Sequence, residues 1–222
     1  MRKKPANSRR QLACRLMSTT MAVRSIYPGE NAADNGVGGW VIGSLKSDES
    51  WCRQACQQLG MIILNVDYRL APEFPFPAQI WDAWAALKWV FANASKLGID
   101  PSRVSIGGLS AGGHLSAVLA LFARDEPGMP PLKLQMLVVP AVDCRWTPIE
   151  GSCDPEVPYE TYITCENAPC LPLHRMRWFS NLWLGTDPGM CYGHAVRGLF
   201  AHMICRRSKK KDKYVDCFSN LG

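Results

Sequence analysis

Histidine is scarce in this chain of 222 residues: four are present, at positions 114, 174, 194 and 202. None is spaced to complete a zinc site, and the ten cysteines include no C-x-x-C pair. No metal centre is therefore expected, and the cysteines read as free thiols. Long apolar runs are missing as well. No stretch approaches the ~20 residues that span a bilayer, and no apolar core of a secretory signal lies near the start, so no stable membrane anchor is expected. Disulfides are correspondingly not expected. Acidic residues are absent from 1–29, which hold seven Lys or Arg, and 206–213 add six basic residues against one acid. Residues 30–205 carry 12 basic and 17 acidic side chains. A basic excess confined to the ends of an acidic body argues against a nucleic-acid-binding face built into the fold.

What is present is an ordinary globular composition, with 47% hydrophobic and 20% charged residues, enough for one sizeable core. Three stretches are distinguished: a basic, unstructured segment over 1–29, a core over 30–185 whose cap segment begins at about 144, and an atypical basic tail over 186–222. The first 24 residues share the Arg-rich, acid-free composition of a mitochondrial transit peptide. The cytoplasm is the default compartment and the mitochondrion the alternative.

Between about residues 40 and 143, short apolar strands alternate with helical stretches, the pattern of βαβ units and a parallel sheet. Met61–Val66 reads as a buried strand. Pro72, Pro75 and Pro77 then bar regular structure until about Ala78. Ile80, Trp84, Leu87 and Phe91 recur at helical spacing, Gly98 stops that helix, and Trp81, Trp84 and Trp89 are assigned to the core. A second strand runs into Gly-Leu-Ser-Ala-Gly112 and a third is expected within 132–142. Beyond Cys144 a helix is expected around Leu173 to Leu184.

The stretch from Arg103 to His114 is the most informative. An alternating apolar strand enters a G-x-S-x-G turn and leaves as a helix, which is how a chain lifts one serine clear of a sheet as a nucleophile. Ser110 is the candidate catalytic residue. Gly108 and Gly112 flank it where a Cβ would collide with neighbouring elements, and Gly113 lets the helix pack closely.

These residues carry a resemblance. Asp67-Tyr-Arg-Leu-Ala-Pro-Glu-Phe-Pro-Phe-Pro-Ala78, Gly-Ile-Asp-Pro-Ser-Arg103 and Gly-Leu-Ser-Ala-Gly112, with Gly-Trp-Val-Ile-Gly-Ser44, Pro-Tyr-Glu-Thr-Tyr162 and Glu-Asn-Ala-Pro169, resemble the α/β-hydrolase fold-3 group, the hormone-sensitive-lipase-like carboxylesterases. The resemblance implies an α/β fold with a mostly parallel sheet flanked by helices. It further implies hydrolysis of a small-molecule carboxylic ester through an acyl-serine, with no cofactor. The family's H-G-G-G stretch corresponds to Gly36-Val37-Gly38-Gly39, which makes the N–H groups of Gly38, Gly39 and Ala111 the candidate oxyanion hole.

The chain departs from the family at both ends. The sequence before Gly36 is too polar for the central strand expected there. Only 37 residues follow Gly185, whereas two further strands with their helices and connections need more than ~50. The expectation is thus a family member truncated on its C-terminal side and altered near its N-terminus, with an incomplete sheet and a partial cap. Its triad Asp and His are not identifiable: His114 reads as a structural residue under the turn, His174 as a surface residue, and Asp187 with His194 or His202 preserves only the chain order, Asp then His, of a rescue pair. A serine without its base implies weak or absent turnover, and the alternative is a non-catalytic, receptor-like binder of small molecules on the same fold.

Overall fold

The apolar runs separated by glycine and proline fold into short parallel strands joined by helical crossovers. The computed structural model describes residues 19–23, 38–142 and 160–184. These divide into two compact units, one of residues 19–23, 38, 42–69 and 77–140, the other of residues 39–41, 70–76, 141–142 and 160–184.

In the first unit, β1 (Thr19–Val23), β2 (Ile62–Val66), β3 (Ser105–Leu109) and β4 (Leu134–Val138) form one sheet in the order β2-β1-β3-β4. Every pairing is parallel, with Thr19 opposite Ile62, Thr20 opposite Ser105, and Ser105 opposite Leu134. Residues 19–23, inside the segment read as unstructured, form β1, which lies between two neighbours in the middle of the sheet. All five of its residues pair with β2 and three of them also with β3, an order supplied by neighbouring backbone that a local pattern does not display.

Helix α1 (Glu49–Leu59) ends at Gly60, whose left-handed φ of 61° lets its N–H reach the Cys56 carbonyl at 3.0 Å. It precedes β2 and packs on that strand. The chain then runs irregularly through its prolines to α2 (Ala78–Ala92) and the single turn α3 (Ala94–Leu97), closed by Gly98 at φ 66°. Arg69, at the end of the segment after β2, is tied to α2: its backbone N–H and Nε donate to Asp82 Oδ2 at 2.9 Å, and its Nη2 donates to Oδ1 at 2.8 Å. Burial alone would raise the Asp82 carboxyl, but the hydrogen bonds and charge of Arg69 hold it below the usual carboxylate range.

The helical stripe differs by one position from the expected one. Ile80, Ala83, Trp84, Leu87 and Val90 are buried, whereas Phe91 is half-exposed. Trp81 and Trp89 are 43% and 49% exposed, so of the three tryptophans only Trp84 joins the core. The reason is angular: positions 81 and 89 lie about 100° from residues 80 and 90 on the helical wheel. Trp81 instead lies against the Phe122 ring, with centroids 5.9 Å apart.

After β3, α4 (Ala111–Asp125) packs on β3, β4 and β1, and α2 packs on α4. Ile80, Leu87, Val104, Ile106, Leu115 and Leu119 make the centre of this core, each 1% exposed or less.

The second unit takes α5 (Glu160–Thr164) and α6 (Leu173–Leu184), together with two pieces that the sequence reading left in the core, residues 39–41 and 70–76. Trp40 and Trp183 stack with ring centroids 3.8 Å apart and planes 8° from parallel, and the edge of Phe76 meets Trp183 at 5.3 Å. Two backbone bonds fix the same cluster: Ala71 N–H to the Trp40 carbonyl at 3.0 Å, and Phe76 N–H to the Trp183 carbonyl at 2.8 Å.

Leu87→Ala empties a fully buried site, so urea unfolding is expected to show a loss of about 2–5 kcal/mol. Trp89→Ala, on the outer face of the same helix, is expected to stay within about 0.5 kcal/mol of wild type. Equal losses would contradict this assignment of faces.

Candidate active site

The chain passes from β1 to β2 on one side and from β2 back across β1 to β3 on the other, which makes the β1/β3 boundary a topological switch point. Open parallel sheets bind their ligands outside the carboxyl ends of the strands at such points. Ser110 is the residue that follows the carboxyl end of β3.

Its backbone has φ 51° and ψ −113°, a conformation that L-residues rarely adopt and that costs about 1–3 kcal/mol where it is enforced. The enforcement is visible on both sides. Ser110 N–H donates to the Val138 carbonyl of β4 at 2.9 Å, and the Ser110 carbonyl accepts the His114 N–H of α4 at 2.9 Å. A serine at a helix N-cap ordinarily turns its hydroxyl onto the first-turn N–H groups. This one makes no such bond, and its half-buried hydroxyl is without a hydrogen bond among the described residues. The N–H of Ala111, first residue of α4, likewise has no acceptor among the described residues, and it stands at the positive end of a 15-residue helix. A hydroxyl held beside unsatisfied backbone donors is an arrangement suited to nucleophilic attack with anion stabilisation.

Close packing explains the glycines. Gly108 and Gly112 are both buried, flanking the serine. A Cβ on Gly113 would lie 3.0 Å from the Gly108 carbonyl oxygen and 3.1 Å from Pro140 Cα, so α4 reaches the strand because this residue has no side chain. Gly107, which the sequence reading passed over, is equally constrained: a Cβ there would lie 3.0 Å from the Met136 carbonyl oxygen. Its signal was a glycine next to Gly108 inside the strand Ser-Ile-Gly-Gly-Leu109.

Gly38 and Gly39 do different things. In the first unit the Gly38 N–H donates to the Ile42 carbonyl at 3.2 Å, and the Ile42 N–H returns a bond of the same length. Gly38 therefore closes a turn, with its N–H engaged by the Ile42 carbonyl. In the second unit Gly39 has φ 62°, and a Cβ on it would fall 2.2 Å from Phe179 Cγ. Its N–H has no acceptor among the described residues.

His114 is 1% exposed in the first turn of α4, and burial pushes its imidazole down to about 3. It is neutral at any ordinary pH. His174 is exposed at the start of α6. Asp187, His194 and His202, and likewise Gly36 and Val37, lie outside the described residues. No group of three His, Cys, Asp or Glu side chains able to hold a metal ion occurs among the described residues.

Residues 37–204 match the alpha/beta hydrolase fold family. An AB hydrolase superfamily protein of Schizosaccharomyces pombe is 40% identical over 151 residues, covering 68% of this chain and 42% of its own length. Carboxylesterase NlhH of Mycobacterium tuberculosis is 52% identical over 103 residues, 46% of this chain and 32% of the relative. Among solved structures, the thermostable carboxylesterase EstE1 from a metagenomic library superposes with a TM-score of 0.62 at 32% identity, covering 76% of this chain and 50% of EstE1. The chain thus spans half or less of the length of these relatives.

Two measurements test this corner. Gly113→Ala is expected to lose about 1–3 kcal/mol in urea unfolding, because neither contact is a flexible side chain that can swing aside. For His114, the unfolded chain takes up a proton below about 6.5 while the folded chain resists until about 3. Stability therefore falls as pH drops through this window, by at most about 1.4 kcal/mol per pH unit. Between pH 6.5 and 5 the stability difference between wild type and His114→Asn is expected to narrow as pH falls. A pH-independent difference would show that His114 titrates normally.

Proposed function

The chain belongs to the alpha/beta hydrolase fold family, and from that premise we propose that it carries a carboxylic-ester hydrolase site with Ser110 as its nucleophile. The observation that carries the reading is the backbone of Ser110, held at positive φ on the β3–α4 corner with its hydroxyl uncapped. In the proposed reaction Ser110 Oγ attacks the ester carbonyl carbon, and the resulting oxyanion accepts a hydrogen bond from the N–H of Ala111, at the start of α4. Collapse of that intermediate expels the alcohol and leaves an acyl-serine, which water hydrolyses to the acid. Ester hydrolysis also agrees with the relatives named carboxylesterase.

We further propose that turnover is slow. The Ser110 hydroxyl meets no imidazole among the described residues, and buried His114 stays neutral through desolvation. Without a general base the serine stays protonated, and loss of a triad member lowers turnover by ~10⁴-fold or more. The same observation favours a second reading, in which the site binds a small ester or acid without turning it over. The ligand remains a small molecule in either case, and no helix among the described residues is long and apolar enough to cross a membrane.

The test is hydrolysis of p-nitrophenyl acetate and butyrate by the full chain and by Ser110→Ala. Release of nitrophenol is expected to be slow and to vanish in the variant, with mass spectrometry finding the acyl group on Ser110. A variant as active as the wild type would remove Ser110 from the reaction. Fast Ser110-dependent turnover would show that a base is in place. Saturable ligand binding with no acylation would establish the receptor-like reading.

A further inference from the structure

Away from Ser110, α1 and β2 border a wide, open depression of about 490 Å³ whose lining includes Leu45, Ile63, Asn65, Cys52 and Cys56. The cysteines are four residues apart on one helix, about 40° apart around its axis, and both are half-buried, free and part of the same lining. Of the charges lining the cavity, Glu49 is paired with Arg53 one turn along the same helix, and Lys46 stands at its rim. We propose that Cys52 and Cys56 form a dithiol site for a trivalent arsenical bearing one apolar substituent, the arsenic bridging the two sulfurs and the substituent lying against Leu45 and Ile63.

Helical geometry favours a bridging atom over a disulfide. Residues at this spacing hold their Cβ atoms about 5–6 Å apart, whereas a disulfide requires about 3.5–4.5 Å. Direct oxidation would have to distort α1, while one interposed atom closes the gap with the helix intact. The chemistry suits a partly desolvated pair as well. Burial, with the nearby charge of Asp48 and of Cys56, pushes the Cys52 thiol up to about 11, which suppresses reactions that need a thiolate. An arsenoxide asks for none in its overall balance: R–As=O and two R′–SH give R–As(SR′)₂ and one water. Both thiol protons leave on the arsenoxide oxygen, two As–S bonds replace the As=O bond, no electrons are transferred, and the product is neutral.

The probe is phenylarsine oxide, titrated into the full chain after reduction with a phosphine. The first equivalent is expected to add one phenylarsenic per chain and to protect Cys52 and Cys56 together from maleimide labelling, as read by peptide mass spectrometry. Cys52→Ser and Cys56→Ser are each expected to weaken binding about a hundredfold or more, because the second sulfur acts at high effective concentration only when both are present. Cys165→Ser with Cys170→Ser is expected to leave the first equivalent where it is. The double change Cys56→Ser, Gln58→Cys keeps the thiol count but moves one sulfur to a position outside the cavity lining, and it is expected to lose the site while the circular dichroism of the fold is unchanged. Protection of other cysteines by the first equivalent, or single variants that keep most of the affinity, would overturn the proposal.

Discussion

The left-handed backbone of Ser110 is the constraint on which the described site depends. A residue with φ 51° persists only where its surroundings leave it no alternative, and here they act from two directions. The Val138 carbonyl holds the Ser110 N–H from the neighbouring strand, and the His114 N–H holds the Ser110 carbonyl from the first helical turn. The corner thus depends on β4 lying in register with β3 and on α4 lying close above the sheet. That close approach depends in turn on Gly113, which has no side chain to meet the Gly108 carbonyl and Pro140. His114 is a consequence of the same packing, because a helix seated this tightly buries its first turn and keeps the imidazole neutral.

Strain at the serine has a chemical counterpart. A relaxed N-cap serine would satisfy its own helix, whereas the positive φ withholds the hydroxyl and leaves both it and the Ala111 N–H without partners among the described residues. Unsatisfied polar groups are unfavourable in a core but useful at a ligand site, where substrate supplies the missing partner. The location follows from topology, since the crossover from β2 over β1 to β3 opens the sheet at the end where Ser110 emerges. Gly39, in its own unit, shows a similar coupling of space and conformation: its left-handed φ and the contact with Phe179 both require glycine.

Much of this was legible in the residues. The apolar strands, the proline-rich break before α2, Gly98 as a helix stop and the helix over Leu173–Leu184 all follow from local rules, because each is decided by its own side chains or backbone conformation. The serine turn was legible for the same reason, since a glycine pattern between a strand and a helix states a steric demand. Where reading failed, distant partners decided. β1, Thr-Thr-Met-Ala-Val23, is short and carries no marked period, and it pairs on both edges. Trp81 and Trp89 looked like core by hydrophobicity but lie off the buried face of α2.

The sequence by itself determined which residue sits at the strand-to-helix corner, which glycines permit that corner, and which residue types are available for chemistry, because these are local steric and chemical facts. Only the tertiary structure decided that Gly38 gives its N–H to Ile42, that Gly107 is pressed against Met136, that His114 is buried and neutral, and that Cys52 and Cys56 share a cavity with β2. Each of those depends on what a distant segment brings to the residue. Hydrogen-bond partners, desolvation and shared space are set by packing, and none of them is written at a single position in the chain.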